Sequence, residues 1–160
     1  LMNAGPLAHF DAWDIHNEGT QATIRNVHDA LDAERVAIRE ALGYGAPHFP
    51  LGDHYTRKPD GDLMYSPTSH DELKDSSDWR EDIDLFTHRY MREDIALGLA
   101  FLVSLGDWAG VPCPVAAGLL AVGGAAVGED FRRTGRTLEN LGLAGLDRAA
   151  MRRLLDGGLR

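Results

Sequence analysis

The sequence is poor in cysteine, in positive charge and in long apolar runs. Its one cysteine, Cys113, excludes an intrachain disulfide and any zinc site that needs two thiolate ligands. Lysine and arginine number 16 against 25 aspartates and glutamates, and this net charge of −9 argues against nucleic acid as the main partner. The longest apolar run, residues 115–128, is shorter than the roughly 18–20 residues of a membrane helix. We therefore expect no nucleic-acid partner, no membrane partner and a cytoplasmic location.

Strand signals are also missing, and helical periodicity fills the chain instead. Residues 20–42 carry apolar side chains at helical spacing, and the pattern returns at 91–110, 114–130, 134–141 and from Asp147 to Gly157. With 160 residues and 44% hydrophobic residues the chain can bury one core. The predicted fold is all-α, a single domain over residues 1–160 built as a bundle of roughly six to eight helices.

Glycine, proline and polar capping residues predict where these helices begin and end. Gly19-Thr20 is a predicted start, Gly43, Gly110 and Gly142 are predicted stops, and Pro114 fits the first position of a helix. Leu146-Asp147 fits a hydrophobic staple with an N-cap, in which Leu146 packs on Met151. Residues 44–84, which hold four of the seven prolines, predict a long connection, with a capping box at Ser69 to Glu72.

Nucleotide and metal motifs are absent as well. The glycine-rich stretch Gly123 to Gly128 lacks the GxGxxG spacing and a preceding strand, so it predicts close helix packing and no cofactor-binding residue. No histidine pairs with another at helical spacing, and a loop site from His48, Asp53 and His54 has little support, so we predict no metal site. His28 borders an apolar stripe, which favours a structural or exposed role over catalysis.

The densest cluster of chemical groups is residues 88–94, His-Arg-Tyr-Met-Arg-Glu-Asp. Arg89 offers a planar fork that matches a carboxylate, and Asp94 near a helix N-terminus stays ionised and can orient a histidine. On one continuous α-helix, residues five apart are separated by roughly 140° of rotation. If the helix starts near Met91, Arg89 lies in its approach and the two side chains can converge. Spacing alone favours a structural salt-bridge network.

Several stretches resemble the C-terminal domain of the opine dehydrogenase family, which includes the octopine and nopaline dehydrogenases. Jointly they are specific, and they follow the family's order over nearly the whole chain. They are Leu1-Met2-Asn3-Ala4, Leu31-Asp32-Ala33-Glu34-Arg35 with Ala41-Leu42-Gly43, Arg89-Tyr90-Met91-Arg92-Glu93-Asp94 with Gly98-Leu99, Gly110-Val111-Pro112 with Pro114, and Asp130-Phe131 with Gly135-Arg136-Thr137-Leu138-Glu139-Asn140-Leu141-Gly142-Leu143.

The resemblance implies an enzyme that joins an amino acid to an α-keto acid and reduces the imine with NAD or NADP. It implies an all-helical substrate domain like the C-terminal half of two-domain dehydrogenases related to 6-phosphogluconate dehydrogenase. An N-terminal Rossmann domain, absent from this chain, would bind most of the cofactor and would be a partner of this domain. Arg89 matches the arginine that holds a substrate carboxylate, and Asp94 matches the aspartate that pairs with the catalytic histidine. That histidine belongs to an Asn-x-x-x-His-Pro segment just upstream of Leu1, so the chain alone is expected to be inactive.

Two other readings stay open. The chain fits a stand-alone helical binding or oligomerisation module without catalysis, or the helical half of a hydroxy-acid dehydrogenase. A homodimer is also compatible with the sequence. Residues 10–19 depart from the aromatic-rich pattern of some relatives, so the resemblance does not identify the amino acid.

Overall fold

A computed structural model describes residues 1–56 and 83–158, and its elements there are helices and turns without a strand. The described residues form seven helices. They are α1 (Ala4–His9), α2 (Ala22–Ala41), α3 (Leu51–Thr56), α4 (Tyr90–Leu99 and then Ala100–Ala109), α5 (Pro114–Val127), α6 (Phe131–Thr134) and α7 (Arg148–Gly157). The two parts of α4 follow each other without a break. The predicted all-α fold is confirmed. The capping box at Ser69 to Glu72 lies outside the described residues.

The core lies where α2, α4 and α5 meet. Its buried members are Met91, Ala96, Leu99, Ala100, Val103, Ala116, Leu120 and Phe131. Leu1, Leu31 and Leu102 are half-buried and pack against this cluster, while Ile38 on α2 is only 2% exposed. The apolar stripe of α2 therefore lies against α4 and α5, as its helical spacing predicts.

The predicted helix ends are mostly where the structure has them. The predicted stops Gly43 and Gly110 follow α2 and α4 with φ of +85° and +74°, a left-handed backbone that glycine adopts without a Cβ clash. Helix α5, predicted to run to about Asp130, ends earlier at Val127, and Gly128 follows it with φ of +72°. Pro114 begins α5, and the Asp147 carboxylate accepts a hydrogen bond from the Ala150 N–H at the start of α7. These local predictions are confirmed because each depends on residues adjacent in the chain.

The predicted start of α2 at Gly19-Thr20 lies one to two residues before the observed N-cap. The Thr20 hydroxyl donates to the Ile15 carbonyl at 2.7 Å, so it serves the preceding loop and not the helix. Gln21 occupies the N-cap position, with an extended backbone and no capping side-chain bond.

The predicted helix over residues 134–141 is also wrong. Helix α6 ends at Thr134, and the backbone N–H groups of Arg136 and Leu138 bond to the Ala96 carbonyl and the Ser104 hydroxyl on α4. The Asn140 side-chain amide donates to the carbonyl of Gly135 at 2.8 Å. Because donors in this segment are satisfied across the core, it forms successive turns against α4.

The Leu31 to Arg35 stretch has a structural explanation. The Glu34 carboxylate accepts hydrogen bonds from the N–H groups of Val115 and Ala116 at 2.7 and 2.9 Å, and so caps α5 from α2. Asp32 accepts from the Leu51 N–H at 2.8 Å and pairs with Arg35 at 2.6 Å. These carboxylates join distant parts of the chain, and an anion at a helix N-terminus also interacts favourably with the helix dipole.

Replacing Glu34 by alanine should lower the free energy of unfolding by about 2–3 kcal/mol, because two N–H groups at the start of α5 lose a charged acceptor. Denaturant unfolding measures this. Glu40→Ala is the matched control on the same helix, since the Glu40 side chain is 63% exposed and lies 3.8 Å from His48. Equal unfolding free energies for the two variants would contradict the capping role.

None of the helices in the described part of the chain combines the length and the apolar character needed to cross a membrane. Over residues 1–56 and 83–158, no three histidine, cysteine, aspartate or glutamate side chains come together as a metal site would require. His48 instead accepts a hydrogen bond from the Arg39 guanidinium at 3.2 Å.

Candidate functional site

The candidate site lies at the N-terminal end of α4, where the chain is wound as a π-helix. Tyr90–Leu99 form this π-helical stretch, and the Ala100 N–H bonds to the Ile95 carbonyl five residues earlier. Arg89 is the N-cap residue and already has a helical backbone, with φ −55° and ψ −33°. The predicted start of the helix near Met91 is therefore confirmed to within one residue.

This winding changes the relation between Arg89 and Asp94. In a π-helix each N–H bonds to the carbonyl five residues earlier, so residues five apart are separated by about one turn of the helix. The α-helical separation of roughly 140° therefore does not apply. The π-helical stretch brings positions 89 and 94 toward the same side of α4. Such stretches are rare and are frequent at functional sites.

Arg89 and Asp94 are both exposed, and neither is engaged in an ion pair within the described residues. The Arg89 guanidinium carbon lies 5.4 Å from the centre of the Tyr90 ring, which is within the range of a cation–π contact. The structural salt bridge that spacing alone favours is therefore not formed by this pair. Both charged groups face solvent and are accessible to a ligand.

The other arginine of the cluster has a structural role. Arg92 pairs with Glu129, which follows α5, and its Nε donates to the Phe86 carbonyl at 2.6 Å. The Nδ1 of His88 accepts the Tyr90 N–H at 3.2 Å. Arg92 and His88 therefore make contacts that hold the start of α4. Arg89 and Asp94, in contrast, are exposed.

The first residues of the chain lie against the same core. Leu1 packs against the cluster that contains Met91, and Met91 lies in the first turn of α4. The Asn3 side chain accepts from the Trp13 indole N–H at 3.0 Å and donates to the Gly19 carbonyl at 3.3 Å. Asn3 therefore ties the start of the chain to the loop of residues 10–20.

That loop contains one buried carboxylate, Asp14, which is 8% exposed. Burial alone would raise the pKa of Asp14, but hydrogen bonds from Asn17 and His16 outweigh it and hold the pKa below its usual value. Asp14 accepts the N–H groups of both residues at 2.9 Å, so it shapes the loop as an ionised group.

The environment of Cys113 disfavours the thiolate form of its side chain. Burial raises the pKa of its thiol, and the carboxylates of Glu34 and Asp107 add to this effect. The thiol therefore stays protonated near neutral pH.

Comparison with known protein families identifies the family of this chain. The family described as NAD/NADP octopine/nopaline dehydrogenase, alpha-helical domain, matches residues 1–127, which is most of the chain. The chain belongs to this family. The resemblance drawn from the sequence motifs is therefore confirmed.

Two relatives of the octopine/nopaline dehydrogenase domain illustrate the relationship. An opine dehydrogenase of Arthrobacter sp. (strain 1C) is 30% identical over 161 residues, which cover 98% of this chain and 43% of that protein. Protein ocs of Agrobacterium vitis is 28% identical over 128 residues, covering 80% of this chain and 35% of that protein. The chain thus spans less than half the length of either relative.

In this octopine/nopaline dehydrogenase domain the glycine-rich stretch serves packing, as predicted. A Cβ at Gly123 would lie 2.7 Å from the Ile95 Cγ2 on α4, and a Cβ at Gly124 would meet the Glu129 carbonyl oxygen. Gly123 lets α5 approach α4 closely, and Gly124 lets the chain fold back against the end of α5 at Glu129. This stretch therefore lies within a helix and does not form a nucleotide-binding loop.

Sequence reasoning missed two features of this domain. One is the π-helical stretch, because the spacing of apolar residues in a single sequence does not reveal π-helical winding. The other is a cavity beside His28, whose lining residues come from α2, α3 and α4. Helical spacing locates His28 next to an apolar stripe, but spacing alone does not show that residues of three helices line an open cavity there.

Proposed function

We propose that this chain is the substrate-binding domain of an enzyme that reductively condenses an amino acid with an α-keto acid. The supporting observation is the pair Arg89 and Asp94, one π-helical turn apart and exposed, in a domain of the octopine/nopaline dehydrogenase family. The reaction joins the amine nitrogen to the keto carbon with loss of water, and the imine then takes up a hydride and a proton. The product is a secondary amine with two carboxylates.

Arg89 is proposed to bind a substrate carboxylate. Its guanidinium is exposed and is not neutralised by an acid in the described part of the chain. Arginine can hold a carboxylate through two parallel hydrogen bonds, which orients the bound group as well as attracting it. Holding both substrates in a fixed geometry lowers the entropic part of the barrier for their condensation.

Asp94 is proposed to orient the catalytic histidine, which the family resemblance places just upstream of Leu1. A carboxylate that accepts a hydrogen bond from the histidine ring selects its tautomer and stabilises its protonated form. Leu1 packs on the core cluster to which Met91, three positions before Asp94, belongs, and this supports the proposed approach of the upstream histidine to this end of α4.

The cofactor is proposed to be NAD or NADP, held mainly by an N-terminal Rossmann domain that this chain does not include. When bound there, the reduced nicotinamide supplies the hydride. This chain's own contribution is to bind, orient and exchange protons with the substrates. A cytoplasmic location and association with the Rossmann domain belong to the same proposal.

The test is a two-substrate assay on the intact two-domain protein. We expect NAD(P)H oxidation only when an amino acid and an α-keto acid are both present, with a product whose mass equals their sum less one oxygen atom. Oxidation with the keto acid alone would instead indicate a hydroxy-acid dehydrogenase. Absence of turnover with every amine and keto acid tested would support a binding module without catalysis.

A further inference from the structure

The segment after α6, residues 135–140, belongs to the motifs that carry the family resemblance, and the proposed function assigns it no role. It lies against the middle of α4, where the π-helical stretch ends and the α-helical part begins. The Arg136 N–H donates to the Ala96 carbonyl at 3.1 Å, on the π-helical side of this junction. The Leu138 N–H donates to the Ser104 hydroxyl at 2.8 Å, on the α-helical side. We call residues 135–140 the bracing segment, because it bonds to both parts of α4.

A change from π-helical to α-helical winding leaves one carbonyl without a partner inside the helix. The Ala100 N–H bonds to the Ile95 carbonyl, five residues earlier. In the α-helical part each N–H bonds to the carbonyl four residues earlier, so the next N–H along the chain corresponds to the Leu97 carbonyl. The Ala96 carbonyl is skipped by this count, and it is the carbonyl that accepts the Arg136 N–H.

The skipped carbonyl lies in the core, since Ala96 is 8% exposed and belongs to the core cluster. A buried carbonyl without a hydrogen bond is unfavourable. Without the Arg136 N–H, the Ala96 carbonyl regains a partner if the helix rewinds and the Ala100 N–H bonds to it in the α-helical pattern. The bond from the bracing segment therefore favours π-helical over α-helical winding in this part of α4.

Gly135 allows the bracing segment to come this close to α4. A Cβ at Gly135 would overlap the Ala96 carbonyl oxygen and lie 2.7 Å from the Ala100 Cβ. Its backbone, with φ −75° and ψ −177°, is open to any residue, so the position needs glycine for space and not for conformation. The Gly135 N–H donates to the Phe131 carbonyl at 3.0 Å, and the Gly135 carbonyl accepts from the Asn140 amide at 2.8 Å. These bonds fix the segment in its close approach.

We propose that Gly135 is a positioning residue, which acts through the bond from Arg136 to Ala96 to hold α4 in its π-helical winding. That winding places positions 89 and 94 about one turn apart. In a continuous α-helix the same positions are separated by roughly 140°, so their side chains would not share one side of α4. The inference rests on the proposed function for the roles of Arg89 and Asp94.

The first experiment measures the hydrogen bonds directly and needs no turnover. Scalar couplings across hydrogen bonds, recorded by NMR on the 160-residue chain, identify the carbonyl that each N–H contacts. In the wild type we expect couplings from the Arg136 nitrogen to the Ala96 carbonyl carbon and from the Ala100 nitrogen to the Ile95 carbonyl carbon. In Gly135→Ala the first coupling should disappear, and the Ala100 nitrogen should couple to Ala96 instead of Ile95.

The second experiment measures kinetics and the pH–rate profile of the intact enzyme. Gly135→Ala should raise the KM for the substrate carboxylate that Arg89 binds at least about 10-fold and lower kcat at least about 10-fold, because both groups leave their productive placement. Withdrawal of Asp94 lowers the pKa of the histidine that it orients. The acid limb of the profile for oxidation of the secondary amine should therefore move to lower pH.

Two variants are the controls. Gly145→Ala adds the same Cβ nearby, where it would meet no atom of the described residues within 4 Å, and it should leave couplings and kinetics unchanged. Ser104→Ala removes the bond to Leu138 on the α-helical side of the junction. It should lower the stability of the fold, since Leu138 is buried, but it should not move the pH–rate profile.

A wild-type chain without the coupling from Arg136 to Ala96 would overturn the proposal. So would a Gly135→Ala chain in which the Ala100 nitrogen still couples to Ile95, or a rewound variant with wild-type KM and kcat. Arg136→Pro removes the same N–H without adding bulk at position 135, so it tests the bond even if Gly135→Ala does not fold. Absence of two-substrate turnover in the wild type would refute the proposed function, while the couplings would still decide whether the bracing segment sets the winding of α4.

Discussion

Replacing Arg89 by alanine in the intact enzyme should raise the KM for the substrate whose carboxylate it binds by about 100-fold to 1000-fold. A carboxylate loses two charge-assisted hydrogen bonds, each worth about 1.5–3 kcal/mol, part of which water replaces. Arg89→Lys should recover only part of the loss, because lysine keeps the charge but lacks the planar fork. Steady-state kinetics with each substrate varied in turn measure the effect and identify the substrate concerned.

The unfolding free energy of Arg89→Ala should match that of the wild type, since the guanidinium is exposed and its one described contact is with the Tyr90 ring. Arg133→Ala is the matched control for loss of a surface arginine charge, because Arg133 is exposed on the short helix α6. An Arg89→Ala enzyme with unchanged KM for both substrates would refute the assignment. Loss of stability together with activity would point to a structural role.

Replacing Asp94 by asparagine should lower kcat by about 100-fold to 10,000-fold, the range that general acid–base catalysis contributes, with little change in KM. Asparagine keeps the size of the side chain but removes the charge that stabilises the protonated histidine. Loss of a neighbouring carboxylate also lowers the pKa of a histidine. The acid limb of the pH–rate profile for oxidation of the secondary amine should therefore move to lower pH.

Glu93→Gln is the control for this prediction, because Glu93 is the adjacent exposed carboxylate in the first turn of α4. It should leave kcat and the pH–rate profile nearly unchanged. If Glu93→Gln and Asp94→Asn reduce kcat equally, the effect comes from the general charge of this surface. In that case Asp94 has no specific role with the histidine.

Much of the fold follows from local rules. The stops at Gly43 and Gly110 and the start at Pro114 depend on the backbone freedom of glycine and on the fixed φ of proline. Such properties act within a few residues, so a sequence pattern is enough to predict them. Residues 134–141 show the limit of this reasoning: a helical pattern is present, yet their N–H groups bond to α4 across the core.

For the candidate site, the sequence predicts two residue types, Arg89 and Asp94, and does not predict their relative geometry. Arg89 and Asp94 carry the right groups for binding a carboxylate and orienting a histidine, and family motifs identify both positions. Their relative placement depends on the π-helical winding of Tyr90–Leu99. The backbone N–H bonds to the carbonyl four residues earlier in an α-helix and five residues earlier in a π-helix. Side-chain periodicity over ten residues does not distinguish the two.

The sequence by itself determined the helical class, most helix ends, the family and the two charged residues of the candidate site. The tertiary structure decided that Glu34 caps α5, that Arg92 pairs with Glu129 while Arg89 remains exposed, and that a cavity forms beside His28. The physical reason is the range of the interactions. Backbone propensities and caps act between near neighbours, whereas capping from another helix, ion pairing and cavity shape depend on residues that only packing brings together.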